Sequence, residues 1–173
     1  MQLKRLLIID TSILCIWLDV PGMEGSGPDH DRWDKKRVGE KIQAGMHDKT
    51  TTFVLPLASI IETGNHIAHA RHSRKERGDA LADLMRKSAE QQTPWAAFSD
   101  QTVLWSAEKL KLLADSWPEL AVQKLSLGDA TIKNVAEYYS QMGYAVEILT
   151  GDQGLKAYEP RVSVEIPRRR QRG

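Results

Sequence analysis

Four carboxylates in this chain each follow an apolar run: Asp10 after "LLII", Glu62 in "SIIETGNHIA", Asp129 in "LGDATIKNVA" and Asp152 in "ILTGDQGL". If folding gathers them, each pair at 4 Å repels by about 4 kcal/mol in an effective dielectric of roughly 20. A cluster of that kind needs a cation. Mg²⁺ is a hard ion that takes carboxylate and water oxygens and keeps several of its waters. Asp10 and Asp129 are therefore the expected direct ligands of Mg²⁺ or Mn²⁺, with Glu62 and Asp152 completing the site directly or through water. Water on such an ion loses a proton readily and attacks phosphorus in line, so phosphodiester hydrolysis needs no protein nucleophile.

Each acid also has a local explanation. Asp10 could cap a helix starting at Thr11, Ser59 and Glu62 match a capping box, Asp129 sits at a helix start, and Asp152 could form an Asx turn. Capping requires each acid only where it stands. It gives no reason for four strand ends to carry one.

The elements that must position these acids alternate. "RLLIID" reads as a strand, then a helix from Thr11 to about Asp19, the loop "PGMEGSGPDHD", a helix around Arg32 to Ala44 and the strand "TTFVLP". An amphipathic helix follows from about Leu57 to Ala70. Ser73 and Glu76 form a capping box for a helix to about Gln91, which "TPWAAF" breaks. Asp100 caps a helix to about Ser116, another runs from Gly128 to Met142, "YAVEILT" is a buried strand and "VSVEI" a short last one. Strands alternating with helices give an α/β fold, a three-layer sandwich around a central, mostly parallel sheet. Such sheets bind ligands at the carboxyl ends of their strands, where all four acids fall.

Composition sets the remaining bounds. A chain of 173 residues, 41% of them hydrophobic, fits one globular domain spanning 1–173. The single cysteine, Cys15, lies in an apolar stretch, so a buried thiol in a reducing, cytoplasmic setting is expected. Asp10 interrupts the first apolar run, which speaks against a signal peptide, and no run is long enough to span a bilayer. The net charge of +1 does not by itself argue for nucleic acid, but the charge is uneven. "HIAHARHSRKER" carries Arg71, Arg74, Lys75 and Arg77, and the tail carries Arg168, Arg169, Arg170 and Arg172. Either patch is a solvated surface or contacts a polyanion.

Taken in order, "IIDTS", "SIIETGNHIA", "LGDATIKNVA" and "ILTGDQGL" resemble the motifs of the PIN domain family, whose members are metal-dependent nucleases. The resemblance spans nearly the whole chain. It implies a sandwich with a central parallel sheet, an acidic pocket of Asp10, Glu62, Asp129 and Asp152 holding Mg²⁺ or Mn²⁺, and cleavage of RNA. Ser12 and Thr150 match positions where the family often places a hydroxyl beside the pocket. Many relatives are toxins of toxin–antitoxin pairs, so an antitoxin, another protein or a second copy of the chain forming a homodimer are the partners implied beside RNA. The stretch from about Ser73 to Trp117 is longer than a compact toxin of this family needs. It reads as an enlarged helical region, a substrate clamp or a partner surface.

Other constellations carry less. His66, His69 and His72, spaced by three, spread over roughly 120° of a helix and could not all face one tetrahedral metal. Asn65 lies one turn after Glu62 and shares its face, where it could orient a carboxylate or water. Gly22, Gly25 and Gly27 lack the phosphate-loop pattern and read as a mobile loop. The five tryptophans read as core. A haloacid-dehalogenase-like phosphatase would want a second Asp two residues after the first, where this chain has Ser12. A non-catalytic module of the same fold, binding RNA or protein, is the rival that keeps all four acids without using them.

Overall fold

The computed structural model describes residues 3–162. The tail arginines and the expected last strand, but for Val162, lie outside the described residues. Three parallel strands, β1 (Arg5–Ile9), β4 (Thr51–Val54) and β5 (Ala145–Leu149), form a sheet in the order β4-β1-β5. Arg5 pairs with Thr51 on one side and Ala145 on the other, and the register continues to Ile8 beside Val54 and Ile9 beside Leu149. β1 is therefore central, and it must be apolar on both faces, as "LLII" is.

Alternation along the strands separates two cores. Leu7, Ile9, Phe53 and Leu149 pack under α1 (Thr11–Trp17), α2 (Lys35–His47), α3 (Leu57–His69) and α4 (Arg74–Ala89), through Ile13, Val38, Ile67 and Leu81. Leu6, Ile8, Val54 and Ile148 face the other way, onto Ile132, Val135 and Tyr139 of α6 (Leu127–Gln141) and Leu155 of α7 (Gln153–Lys156). Helices thus cover both faces of a parallel sheet, as the alternating sequence requires. Trp33 and Trp95 are buried in the first core, whereas Trp105 is 43% exposed.

Several local readings change. "TPWAAF" does more than break a helix: Phe53 donates to Pro94 O and accepts from Ala96 N–H, both at 2.8 Å, so this segment lies parallel along the edge of β4. Ser73 does precede α4, but it is left-handed with φ 59° and makes no side-chain cap bond, so the expected capping box is absent. Asp100 caps no α-helix. It lies in a 3₁₀ stretch, Phe98–Trp105, and the helix that follows, α5 (Ala107–Val122), is capped by Ser106, whose Oγ accepts from Lys109 N–H. The glycine loop is no loose strap either, because Gly25–Ser26 (β2) pairs antiparallel with Trp33–Asp34 (β3). No described helix is long and apolar enough to cross a membrane.

The chain leaves β1 toward β4 on one side and returns to β5 on the other. The carboxyl end of β1 is consequently a switch point, where neighbouring connections diverge and leave a crevice.

Candidate functional site

At that switch point stands Asp10. Its N–H donates to Leu149 O at 3.0 Å, which fixes the residue between β1 and β5. It occupies the N-cap position of α1, where an Asp side chain normally accepts from the free helix N–H groups, yet it makes no such bond. Its Oδ2 instead accepts from Ser12 Oγ at 2.9 Å and Thr150 Oγ1 at 2.7 Å. Both hydroxyls themselves accept a backbone N–H, Ser12 from Gly151 at 3.0 Å and Thr150 from Asp152 at 2.9 Å. Each hydroxyl proton is thereby directed at the carboxylate. Burial nonetheless dominates, because Asp10 is 5% exposed. It pushes the carboxyl above its ordinary range against the opposing bonds from Thr150, Ser12 and the adjacent Thr11 backbone, and the Glu62 charge adds to the rise.

Glu62 reaches the same end from α3. That helix begins at Leu57 after Pro56, so Ser59 lies inside its first turn, buried with Oγ unpartnered, and the expected Ser59–Glu62 box does not form. Glu62 Oε2 accepts from Thr11 Oγ1 at 2.9 Å. Its Oε1 lies against Gly128 in the first turn of α6.

Asp129 and Asp152 have local work. Ser126 caps α6, accepting from Asp129 N–H at 3.0 Å, and hydrogen bonds with Ser126 hold the Asp129 carboxylate in return. Partial burial raises the Asp129 carboxyl above its ordinary range, and the charges of Asp10 and Asp152 push the same way. Asp152 caps α7, its Oδ1 accepting from Gly154 N–H at 2.7 Å and Leu155 N–H at 3.2 Å. Only Asp10 and Asp152 directly follow strands, β1 and β5; Glu62 lies within the helix after β4, and Asp129 follows α5 rather than the expected strand end. The charge of Asp10 reaches Asp129 and that of Glu62 reaches Asp10, and hydroxyl bonds join Asp10 to Ser12 and Thr150 and Glu62 to Thr11. Among the described residues, no three His, Cys, Asp or Glu side chains stand close enough to share one ion.

The supporting residues divide. Ser12 and Thr150 touch Asp10 directly, whereas Asn65 is exposed on α3 and its side chain makes no hydrogen bond among the described residues. His66, His69 and His72 are exposed. The basic stretch begins past the far end of α3, about 10 Å beyond Glu62 at 1.5 Å per residue. Within it Lys75 is tied to Asp79 at 2.8 Å, Arg77 is half-buried beside Glu76, and Arg74 Nε donates to Ala70 O at 2.6 Å. Arg71 alone of the four has neither an ion pair nor a side-chain hydrogen bond among the described residues. A cleft beside Thr150 holds further cations, but they are paired, Arg37 with Asp31 and Lys41 with Glu147, each at 2.8 Å, and Lys156 with Glu159 outside the cleft.

Residues that the sequence did not mark for the site complete it. Thr11 holds Glu62, and its only sequence signal is a second hydroxyl after Asp10. Gly151 is approached by the β2–β3 hairpin so closely that a Cβ there would collide with Ser26. Gly27, at φ 95°, turns the tip of that hairpin against the backbone of Asp31 and Gly151. The expected mobile loop is thus a wall beside Thr150. Comparison of the chain with family models, with curated proteins and with solved structures returned no match, so the likeness to PIN domains rests on the four motifs and their order.

Proposed function

We propose that this chain is a Mg²⁺- or Mn²⁺-dependent ribonuclease of PIN-like fold that hydrolyses RNA phosphodiester bonds. The observation that carries the reading is Asp10: a buried carboxylate at a switch point that declines its capping role and has two hydroxyls trained on one oxygen, with other acids around it. The donor set is all hard oxygen. Mg²⁺ needs only one or two carboxylates and keeps waters for its other positions, so acids spaced too widely for a closed cage still suit it. Asp10 and Asp129 would hold the ion, with Glu62 and Asp152 acting through water. A bound ion supplies neutralisation of the phosphodiester charge and a more acidic water. Ser12 and Thr150 orient Asp10, Thr11 orients Glu62, and Ser126 orients Asp129. An antitoxin or other protein partner belongs to the same reading, which the exposed Trp105, Leu110 and Leu112 of the enlarged helical region support.

One observation favours the rival, a PIN-fold module that binds RNA or protein without cutting: Asp152 and Asp129 already have structural work at helix starts. The deciding experiment is incubation of a mixed RNA pool with Mn²⁺, with EDTA, and with the Asp10→Asn protein. Cleavage by the wild type in Mn²⁺ alone supports the nuclease. Binding without cleavage in every arm supports the module.

A further inference from the structure

Gly128 is the second residue of α6, immediately before Asp129. Its φ is not positive, and alanine is the better helix former, so backbone conformation gives no reason for glycine here. The reason is spatial. A Cβ built on residue 128 would fall well within 3.0 Å of Glu62 Oε1 and 3.2 Å from Glu62 Cδ, whereas the next neighbour, Ala58 Cβ, lies at an ordinary 3.7 Å. The opposite oxygen of the same carboxylate accepts from Thr11 Oγ1 at 2.9 Å. A hydroxyl therefore holds Glu62 from one side, and the absence of a side chain receives it on the other.

We propose that Gly128 is a positioning residue, whose missing side chain lets the Glu62 carboxylate lie against the first turn of α6 beside Asp129 while it keeps its bond to Thr11. Any larger residue at 128 evicts that carboxylate. The eviction falls on Glu62 rather than on the helix, because the atoms in the way are the far end of a flexible chain, and moving them forfeits the Thr11 bond. Only the functional consequence rests on reading these acids as a metal site. The contact itself does not.

The test has two readouts. In a thermal-melt cycle of wild type, Gly128→Ala, Glu62→Ala and the double variant, alanine at 128 should be favourable once Glu62 is truncated, as helix propensity dictates. With Glu62 intact the same change should be less favourable by about 2–4 °C, the shift expected of one modest interaction in a chain of this size. An equal effect of Gly128→Ala in both backgrounds overturns the proposal. The second readout is Mn²⁺ affinity of the metal-free proteins by calorimetry. Gly128→Ala should weaken it by about 10-fold or more, as for other residues that orient a ligand. Adding Glu62→Asp, one methylene shorter, should recover part of the loss, which a merely structural defect would not allow. Unchanged affinity in Gly128→Ala also overturns the proposal. If the wild type itself binds no Mn²⁺, the metal reading fails and the melt cycle alone decides the role of Gly128.

Discussion

Thr150 and Asp10, 140 positions apart in the chain, share a hydrogen bond of 2.7 Å across the ends of β5 and β1. The Thr150 hydroxyl also accepts from Asp152 N–H, so its proton has one direction to point. The bond ties a buried carboxyl to the strand that closes the sheet, and it links the first and last of the four acids.

Replacing Thr150 by Val should cost about 1.5–3 kcal/mol, the range for a hydrogen bond to a charged group, because Val keeps the shape and loses the donor. Thr150→Ser keeps the hydroxyl and should stay close to wild type. Urea unfolding at pH 7 measures both. Equal losses in the two variants would assign the effect to packing of the methyl group and not to the bond.

Burial holds the carboxyls of Asp10 and Asp129 above their ordinary range. An unfolded Asp titrates near pH 3.9, at about its reference value. Between that pH and the raised folded pKa the native state binds more protons than the unfolded chain, so the contribution of these groups to stability falls as pH rises. Asp31, held low by its bond to Arg37, and Asp48, held low by Thr50 N–H, act in the opposite sense, losing stability as pH falls. Comparison with Asp10→Asn cancels that background. In EDTA, the stability advantage of the variant should be smallest below about pH 4 and grow until Asp10 is fully ionised. A difference independent of pH from 4 to 8 would mean that Asp10 titrates as an ordinary exposed acid.

How much of this was legible beforehand depends on whether the cause is local. "LLII" announces a central parallel strand because both faces must be apolar, and Asp10 at its end follows from that. The cap at Asp152 was readable as an Asx turn, since its partners Gly154 and Leu155 are adjacent. The Ser59–Glu62 box, the local alternative for Glu62, does not form because α3 already begins at Leu57, where the apolar spacing placed it. The bridge from Trp95 to the edge of β4 and the close contact at Gly128 were invisible, since each exists only through a partner far along the chain, Phe53 in one case and Glu62 in the other.

Cys15 is fully buried, and burial pushes its thiol up to about 11. The thiolate is the reactive form, so the native protein should resist a disulfide reagent at pH 8 and react only when unfolded in guanidinium. Absorbance from Ellman's reagent with and without denaturant tests this. Rapid labelling of the native protein would show that α1 opens readily.

The basic stretch should contribute unequally to any RNA binding. Each phosphate contact on a single strand adds about 0.7 to the slope of log affinity against log salt. Arg71 is without an ion-pair partner among the described residues, so Arg71→Gln should flatten that slope by about this amount. Lys75→Gln should change little, because Asp79 already engages that ammonium. Fluorescence anisotropy over a salt series separates the two. Identical slopes for wild type and both variants return the stretch to a solvated surface.

Asp10→Asn separates a cap from a ligand by the sign of its effects. Asn caps a helix about as well as Asp, so a capping Asp10 would leave stability and activity nearly unchanged. The absent cap bond already weighs against that role. As a buried ligand rather than a cap, Asp10 carries a charge that burial disfavours and Glu62 repels, so the substitution removes that cost, and Ser12 and Thr150 can still donate to the amide oxygen. The metal-free protein should then gain about 1–3 kcal/mol at neutral pH, an estimate for carboxylates several ångströms apart. Stabilisation by millimolar Mg²⁺ should shrink in the same variant, since a neutral amide oxygen is a poorer ligand for a hard cation. RNA cleavage should fall by orders of magnitude. Melting curves with EDTA and with Mg²⁺, run beside a cleavage assay on both proteins, supply all three readings. Wild-type cleavage together with an unaltered Mg²⁺ response would falsify the metal site at its first residue, and a gain in metal-free stability alone would leave Asp10 a strained acid without a cation to serve.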